Sequence, residues 1–324
     1  LRNEIFTMRV VALVPGGVGD QILFFPTLDD LKRNYPDAEI DVVVEPRSKS
    51  AYRVSKSVSD VIPFDFKDRN SPADWANLLG VLRDRDYEAV LSLGRSWGIG
   101  LLLWLSGIST RVGYAGNGGS GFLTNAIPLK PDQYTAAMYH ELLQSFGINT
   151  SCPDLSITIP RSDLDWAEME QKRLGVSGYV MIYPGVDESR QNRGNALYPV
   201  EKWQHIVQDF QQRQPDLPIV VAQDSDNAEM VADLTKACPT LKVTKPGDVG
   251  RLAAMIASAN LMLCTEGAPM QLAVALQVYT LALLSSTDPS KVLPQSDKFL
   301  AIQSPTGDIA EISPEQVLTK VWGG

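Results

Sequence analysis

The sequence predicts an α/β protein made of two doubly wound parallel-sheet domains in tandem. Three observations predict it. Short β-branched apolar runs alternate with longer helical segments through the first half of the chain. A Pro- and Ser-rich stretch, Ser151–Asp163 (SCPDLSITIPRSD), then interrupts the pattern, which restarts after it. Finally, Leu261–Pro289 reads as strand, small-residue turn, helix, strand and polar loop, an α/β unit in itself. A chain of 324 residues exceeds one small core, and two domains follow, 1–158 and 159–324.

The elements follow in order. Arg9–Val14 (RVVALV) is a short strand, Pro15–Asp20 a glycine turn, and Ile22–Asn34 a helix with Pro26 near its start. Glu39–Glu45 is a strand, as is part of Ser59–Phe66, and Asp74–Asp84 is an amphipathic helix. Ala89–Leu93 is a strand before an apolar helix around Leu101–Ser106. Arg111–Tyr114 is extended, Asn117–Gly121 (NGGSG) is a loop, and Thr135–Phe146 is a helix. Beyond the linker, Leu164–Leu174 is helical, Tyr179–Tyr183 a strand and Pro184–Leu197 a long polar loop. Val200–Gln212 and Asn227–Ala237 are helices on either side of the strand Pro218–Ala222. Lys242–Val243 is extended and Val249–Ser258 helical. The strands Leu261–Cys264 and Val278–Leu284 enclose a helix from Met270 to about Gln277, and Phe299–Ile302 and Pro314–Trp322 close the chain.

Composition narrows the function. A net charge of −9 argues against a nucleic-acid surface, which needs clustered Lys and Arg. Cys152, Cys238 and Cys264 share no CxxC spacing, so reduced core thiols are expected rather than disulfides or zinc. His140 and His205 are the two histidines, neither with a matched carboxylate in the sequence pattern, and no metal site is expected. Asp224-Ser225-Asp226 spells D-x-D, and metal binding is not expected there. The apolar run Trp97–Ile108 is too short to span a bilayer. The polar start LRNEIFT has no signal-peptide core, and Leu1–Thr7 reads as an extension upstream of Met8.

Two tandem α/β domains place a ligand cleft between them, at the carboxyl ends of the strands. The turn Glu266-Gly267-Ala268-Pro269 presents a helix N-terminus, whose N–H groups and dipole favour a phosphate.

The ordered motifs carry a resemblance. Gly16-Gly17-Val18-Gly19-Asp20 with Phe25-Pro26-Thr27-Leu28, then Tyr198-Pro199-Val200-Glu201-Lys202-Trp203, then Glu266–Ala273 with Thr287-Asp288-Pro289, resemble the signatures of glycosyltransferase family 9, the ADP-heptose:lipopolysaccharide heptosyltransferase group. The resemblance implies a GT-B architecture of two facing Rossmann-like domains, with the last helix packing back on the first domain. It also implies inverting, metal-independent sugar transfer without a cofactor. The implied partners are an ADP-linked nucleotide sugar and a saccharide or lipid-linked acceptor. The implied location is cytoplasmic, peripheral at the inner face of the membrane, with Trp97–Trp104 as a contact face or else a helix buried against the sheet.

On that resemblance Asp20 stands as general base; a carboxylate after a glycine turn equally suits a helix cap. Gly16, Gly17 and Gly19 let backbone approach the acceptor or form a tight turn. Glu266, Gly267, Ala268, Pro269, Met270 and Gln271 face the donor diphosphate, with Thr287 and Asp288 at the same rim. Arg190 and Arg193 are the natural cations for it, and Gln223 and Asp224 lie where a base or ribose is read. The chain departs from the family at Ala196, where the family has Lys, at Glu266 for Asp, at Gln271 for His, and at Leu284-Ser285-Ser286 for Phe-Gly-Pro. The alternative is a scaffold that has lost turnover and binds a ligand or a protein partner.

Overall fold

In the computed structural model, described for residues 8–67, 70–116, 118–185 and 197–323, the chain divides between Ser156 and Ile157 into two compact units. Leu1–Thr7, Asn117, Arg190, Arg193 and Ala196 lie outside the described residues.

The described strands form two parallel six-stranded sheets. The first contains β1 (Arg9–Val14), β2 (Glu39–Val44), β3 (Asp60–Pro63), β4 (Ala89–Ser92), β5 (Thr110–Tyr114) and β6 (Asn125–Ile127), in the spatial order 3-2-1-4-5-6. The second contains β7 (Val180–Tyr183), β8 (Ile219–Ala222), β9 (Lys242–Thr244), β10 (Leu261–Thr265), β11 (Thr280–Leu284) and β12 (Phe299–Gln303), in the order 12-11-10-7-8-9. Counted from its own first strand, the second sheet repeats the 3-2-1-4-5-6 order of the first. That order reverses between the first and fourth strands, which opens a crevice at their carboxyl ends. The reversal falls between β1 and β4 in one sheet and between β7 and β10 in the other.

The central strands are continuous apolar runs because both of their faces are covered. Val11 and Leu13 of β1 join a core with Leu78, Leu82, Ile99 and Leu103. Those four come from α2 (Pro72–Asp84) and α3 (Trp97–Ser106). The opposite face of this sheet carries the buried residues of α1 (Val18–Asn34), which packs on α4 (Thr135–His140) and on a 3-10 segment, Pro46–Val54. In the second unit, Val180, Ile182 and Val221 pack on Trp203, Ile206 and Phe210 of α6 (Val200–Arg213) and on Val231 and Leu234 of α7 (Ala228–Ala237). The last helix, α11 (Pro314–Trp322), adds Val317 and Leu318 to that core, and its Trp322 Nε1 donates to Asp209 Oδ1 at 2.8 Å. On the other side α5 (Arg161–Leu174) packs on α8 (Val249–Ala257), which packs on α9 (Ala268–Ala275).

Several helices begin earlier than the apolar periodicity indicates, because caps and not core residues set their starts. Ser71 Oγ accepts from Asp74 N, and Asp74 Oδ2 accepts in return from Ser71 N at 2.8 Å, so α2 starts at Pro72. Ser96 Oγ accepts from Ile99 N at 3.3 Å and starts α3 at Trp97. The helix α1 starts at Val18, which leaves Pro26 in its interior rather than in its first turn. An interior proline removes one helical bond and normally costs about 3 kcal/mol. Here Phe24, Phe25, Leu28 and Leu31, all buried, hold the helix through it.

A buried polar cluster locks α1 in place. Asp30 is 2% exposed and His140 4% exposed. His140 Nε2 lies 2.8 Å from Asp30 Oδ2, Thr150 Oγ1 donates to the same oxygen at 2.7 Å, and Arg33 Nη1 donates to Oδ1 at 2.7 Å. His140 therefore has the carboxylate partner that its local sequence does not show, supplied from 110 residues away.

The network sets an acid dependence. Burial alone would raise the Asp30 carboxyl; the hydrogen bonds from Thr150 and His140, with the charges of His140 and Arg33, outweigh it and hold it below 3.8. A carboxyl lowered on folding adds stability above its unfolded value, and that stability is lost as pH falls through the folded one. Asp30→Asn should therefore cost about 3–5 kcal/mol at neutral pH. It should also flatten the decline in stability of the first unit below pH 3.8. Urea unfolding followed over a pH series reads both effects, and an unchanged acid limb would show that another carboxylate dominates.

Candidate functional site

The two order reversals localise the site residues in each unit. In the first unit, β1 ends at Val14 and the turn to α1 carries Gly16, Gly17 and Gly19. Gly16 has φ +119°, a region that side chains avoid, and a Cβ there would run into Asp20 Oδ2. The turn is braced from below. Buried Gln21 donates through Nε2 to Val14 O at 3.0 Å and accepts from the Tyr52 hydroxyl at 2.7 Å, while Ser48 Oγ donates to Gly16 O at 2.7 Å. Asp20 occupies the first helical turn rather than the cap position itself, and its Oδ2 accepts from Gly17 N at 2.8 Å. This bond fixes the carboxylate at the mouth of β1.

Two further groups stand near this turn. Tyr139 is half-buried, and desolvation of its hydroxyl, with the charge of Asp20 added, pushes its phenol well above the usual range. Tyr114, also raised by burial, is close enough to Arg95 to feel that charge. Arg95 is exposed in the connection from β4 to α3, at the reversal point of the first sheet. Sequence reasoning does not single it out, because one arginine in a short loop carries no pattern. Its signal is positional: it follows the strand that neighbours β1.

In the second unit, β10 leads through Glu266 and Gly267 into α9. Gly267 has φ 155° and ψ −168°, a conformation that belongs to glycine, and no side chain caps the helix. Helix geometry leaves the first N–H groups without intrahelical acceptors, and Pro269, at the second position, has none to offer. Ala268 and Met270 are thus the donors of this helix start. The helix begins two residues before the expected Met270, which brings Gly267 directly onto its N-cap.

The neighbouring polar side chains are tied to the protein itself. Gln271 is buried and its Nε2 donates to Val292 O at 2.9 Å, while its Oε1 has no partner among the described residues. Val292 ends α10 (Pro289–Val292), so Gln271 ties α9 to the loop that holds Thr287 and Asp288. Asp288 caps α10, accepting from Ser290 N at 2.9 Å and Ser290 Oγ at 2.7 Å, and these bonds lower its carboxyl below the usual range. At the ends of β7 and β10, Thr265 Oγ1 donates to Gly185 O. The Tyr183 hydroxyl donates to Asp224 Oδ2, and Asp224 Oδ1 accepts from Asp226 N at 2.9 Å and Asn227 N at 3.1 Å. Asp224 thus shapes the turn after β8, and among the described residues no group of three His, Cys, Asp or Glu is placed to hold a metal. Gln223 is half-buried at the end of β8, and its N–H donates to Thr244 O at 2.9 Å.

The Tyr198–Trp203 motif is core. Tyr198 and Trp203 are fully buried, their rings 5.1 Å apart, and Lys202 Nζ donates to Ala310 O and to Ile312 O. The motif anchors α6 to the segment before α11.

Comparison with known proteins agrees with this geometry. The sequence profile of glycosyltransferase family 9 (heptosyltransferase) matches residues 75–321. The photosynthetic NDH subunit of subcomplex B 1, chloroplastic, of Arabidopsis thaliana is 28% identical over 334 residues, covering 94% of this chain and 71% of that protein. Lipopolysaccharide heptosyltransferase 3 of Escherichia coli is 24% identical, covering 91% and 88%. The solved E. coli heptosyltransferase WaaC with ADP-2-deoxy-2-fluoro heptose superposes with a TM-score of 0.76 at 18% identity, covering 98% of this chain and 99% of that one. The two Rossmann-like units are those of the GT-B architecture, and the chain belongs to glycosyltransferase family 9, the heptosyltransferase family.

Proposed function

We propose that the protein is an inverting, metal-independent glycosyltransferase that moves a heptose-like sugar from an ADP-linked donor to a saccharide or lipid-linked acceptor. The observation that carries this reading is the start of α9, where Gly267 at φ 155° opens a helix N-terminus that no side chain caps. Such a terminus suits a diphosphate, whose negative charge grows as the sugar leaves. Family membership and a neighbour solved with an ADP-sugar support the donor class.

In this reading an acceptor hydroxyl oxygen attacks the anomeric carbon on the face opposite the diphosphate. The carbon–oxygen bond to phosphate breaks, its electron pair leaves with the nucleoside diphosphate, and the hydroxyl proton passes to the Asp20 carboxylate. One displacement inverts the anomeric configuration. The bond from Gly17 N to Asp20 Oδ2 holds the base in one orientation, as positioned proton transfer requires. Arg95, at the reversal point of the first sheet, is a further candidate for an anionic acceptor group. Arg190 and Arg193 retain their proposed role as cations for the diphosphate.

A second reading, a binding or assembly protein on the same scaffold, is favoured by two observations. Gln271 and Asp288, at motif positions of the family, are engaged in bonds that hold the protein together. The 28% identical Arabidopsis relative is named as a subunit of a larger complex.

Nucleotide binding separates the two. ADP at about 100 times its Kd should stabilise the protein by about 2.7 kcal/mol in a thermal melt, with UDP and GDP weaker. No stabilisation by any nucleotide would sink the transferase reading. With a donor that turns over, Asp20→Asn should lower kcat by about 10²–10⁴ while leaving the melting temperature nearly unchanged. Asp20→Ala should add a stability loss of about 0.5–2 kcal/mol from the lost helix-start bond. Full activity in Asp20→Asn would remove Asp20 as base.

Gln271→Leu gives a separate check. It leaves the Val292 carbonyl without its donor, and the expected cost is about 1–3 kcal/mol, read from the urea midpoint. Stability equal to that of the parent protein would mean that Gln271 does not hold the loop.

A further inference from the structure

The chain after β6 encloses a polar cavity that the transferase reading leaves without a role. Gln133 stands just before α4, and Glu141 opens the 3-10 segment that follows it, Glu141–Phe146. Gly147, at φ +76°, ends that segment in the left-handed region, and the chain then turns back. Ile148 and Cys152, beyond the turn, line the same cavity as Gln133, Ala137, His140 and Glu141 before it. The cavity thus lies between the helix and the returning chain, and its volume is about 210 Å³. One water takes up about 30 Å³, and drug-sized sites begin at about 300 Å³. The space therefore suits a molecule of one sugar ring.

Ala137, His140 and Glu141 share one stripe of the helix by their spacing of three and four. Tyr139, whose ring packs on that of Phe24 at 5.9 Å, lies off the stripe, and no residue of the Gly16–Asp20 turn lines the cavity. One wall is fixed. His140 is held by Asp30 at 2.8 Å, and Thr150, also a lining residue, by the same carboxylate at 2.7 Å.

The polar atoms here are under-used. Gln133 Nε2 and Glu141 Oε2 are buried atoms without a hydrogen-bond partner among the described residues, as are the Tyr134 hydroxyl and Ser145 Oγ nearby in the chain. Folded proteins leave few such atoms, because burial removes their bonds to water and returns nothing. Gln133 and Glu141 bring one donor and one charged acceptor to a single cavity. Glu141 spends its other oxygen on Lys130, at 2.7 Å, and that lysine already balances its charge. No Lys or Arg is among the lining residues, so nothing there neutralises an anion. The ligand that meets these demands is neutral, donates to Glu141 and accepts from Gln133. Hydroxyl groups do both. The six residues of α4, about 9 Å of rise, separate the two side chains in the chain, so the ligand carries several hydroxyls rather than one.

We propose that this cavity binds a neutral polyhydroxylated molecule the size of one sugar ring, with one hydroxyl donating to Glu141 Oε2 and another accepting from Gln133 Nε2. The site belongs to the first unit alone, goes beyond the transferase reading and does not depend on turnover.

Saturation-transfer NMR on the full chain, without nucleotide, tests it with glucose, galactose, mannose and myo-inositol as probes. At least one should bind saturably, and glucuronate, which adds a carboxylate, should bind about tenfold more weakly. Gln133→Met keeps the length and removes the donor, and Ala137→Leu fills the space. Each should weaken binding of that probe about tenfold while keeping the circular dichroism melt of the parent protein. Asp20→Asn should leave the binding unchanged. Binding of the methyl glycoside as well supports the proposal and makes the ligand a unit of a longer glycan; binding of the free sugar alone supports it with a small molecule as the ligand. No saturable binding of any probe overturns the proposal, as does binding that both cavity variants retain, binding that Asp20→Asn abolishes, or glucuronate bound as tightly as the neutral probes. A protein that binds sugar here but is not stabilised by any nucleotide loses the transferase reading and keeps this site.

Discussion

A strand can be followed by a parallel neighbour only after a crossover, and the crossover is right-handed. That constraint organises both halves of this chain. Starting from a central strand, the chain builds outward in one direction, returns to the other side of its first strand, and builds outward again. The result is the 3-2-1-4-5-6 order in each sheet, and a reversal next to β1 and next to β7. At a reversal the connections leave in opposite directions, so the strand ends are uncovered there. Two glycine turns are found at such ends: the Gly16–Asp20 turn after β1 and the Gly267 turn after β10. The glycines follow from the same cause, since the chain must pass from strand to helix within two or three residues.

This dependence explains what was legible in the sequence. The strands were, because buried parallel strands are continuous apolar runs, as RVVALV and TLALL show. The glycine turns were, because a positive φ at Gly16 and an extended positive φ at Gly267 restrict the residue type. The Asp30–His140 pair was not. Its partners lie 110 residues apart, and only the packing of α1 on α4 brings them together. Arg95 was equally invisible, since its importance comes from which strand it follows. Helix starts were displaced where a cap preceded the apolar face, as at Ser71 and Ser96, and the interior Pro26 was misplaced for the same reason.

The polar residues at motif positions divide into two kinds. Gly267 acts through the backbone, and Ala268 and Met270 bring only their N–H groups; substitution of side chains nearby leaves that geometry standing. Gln271 and Asp288 act through side chains, and in this structure those side chains bind other parts of the same unit. A neutral amide at position 271 donates one hydrogen bond to Val292 O and brings no positive charge to the helix start. In the proposed transfer, the electrostatic help that a cation gives the departing diphosphate comes from elsewhere in the chain, and arginine is the residue type suited to it. Backbone geometry and side-chain chemistry can thus diverge within one short segment. The family fold is preserved by the first, while rate depends on both.

The outer face of α3, where Trp97 and Trp104 stand exposed, follows from the same topology. The connection after β4 is short, so α3 begins close to the end of the strand at the reversal point. Its inner residues, Ile99, Leu102 and Leu103, are used by the core, and the outer ones are left to solvent. An ordinary surface helix would carry Lys, Glu or Gln on that side. This one carries two tryptophans, and glycine at position 100 admits a turn that places a third ring between them.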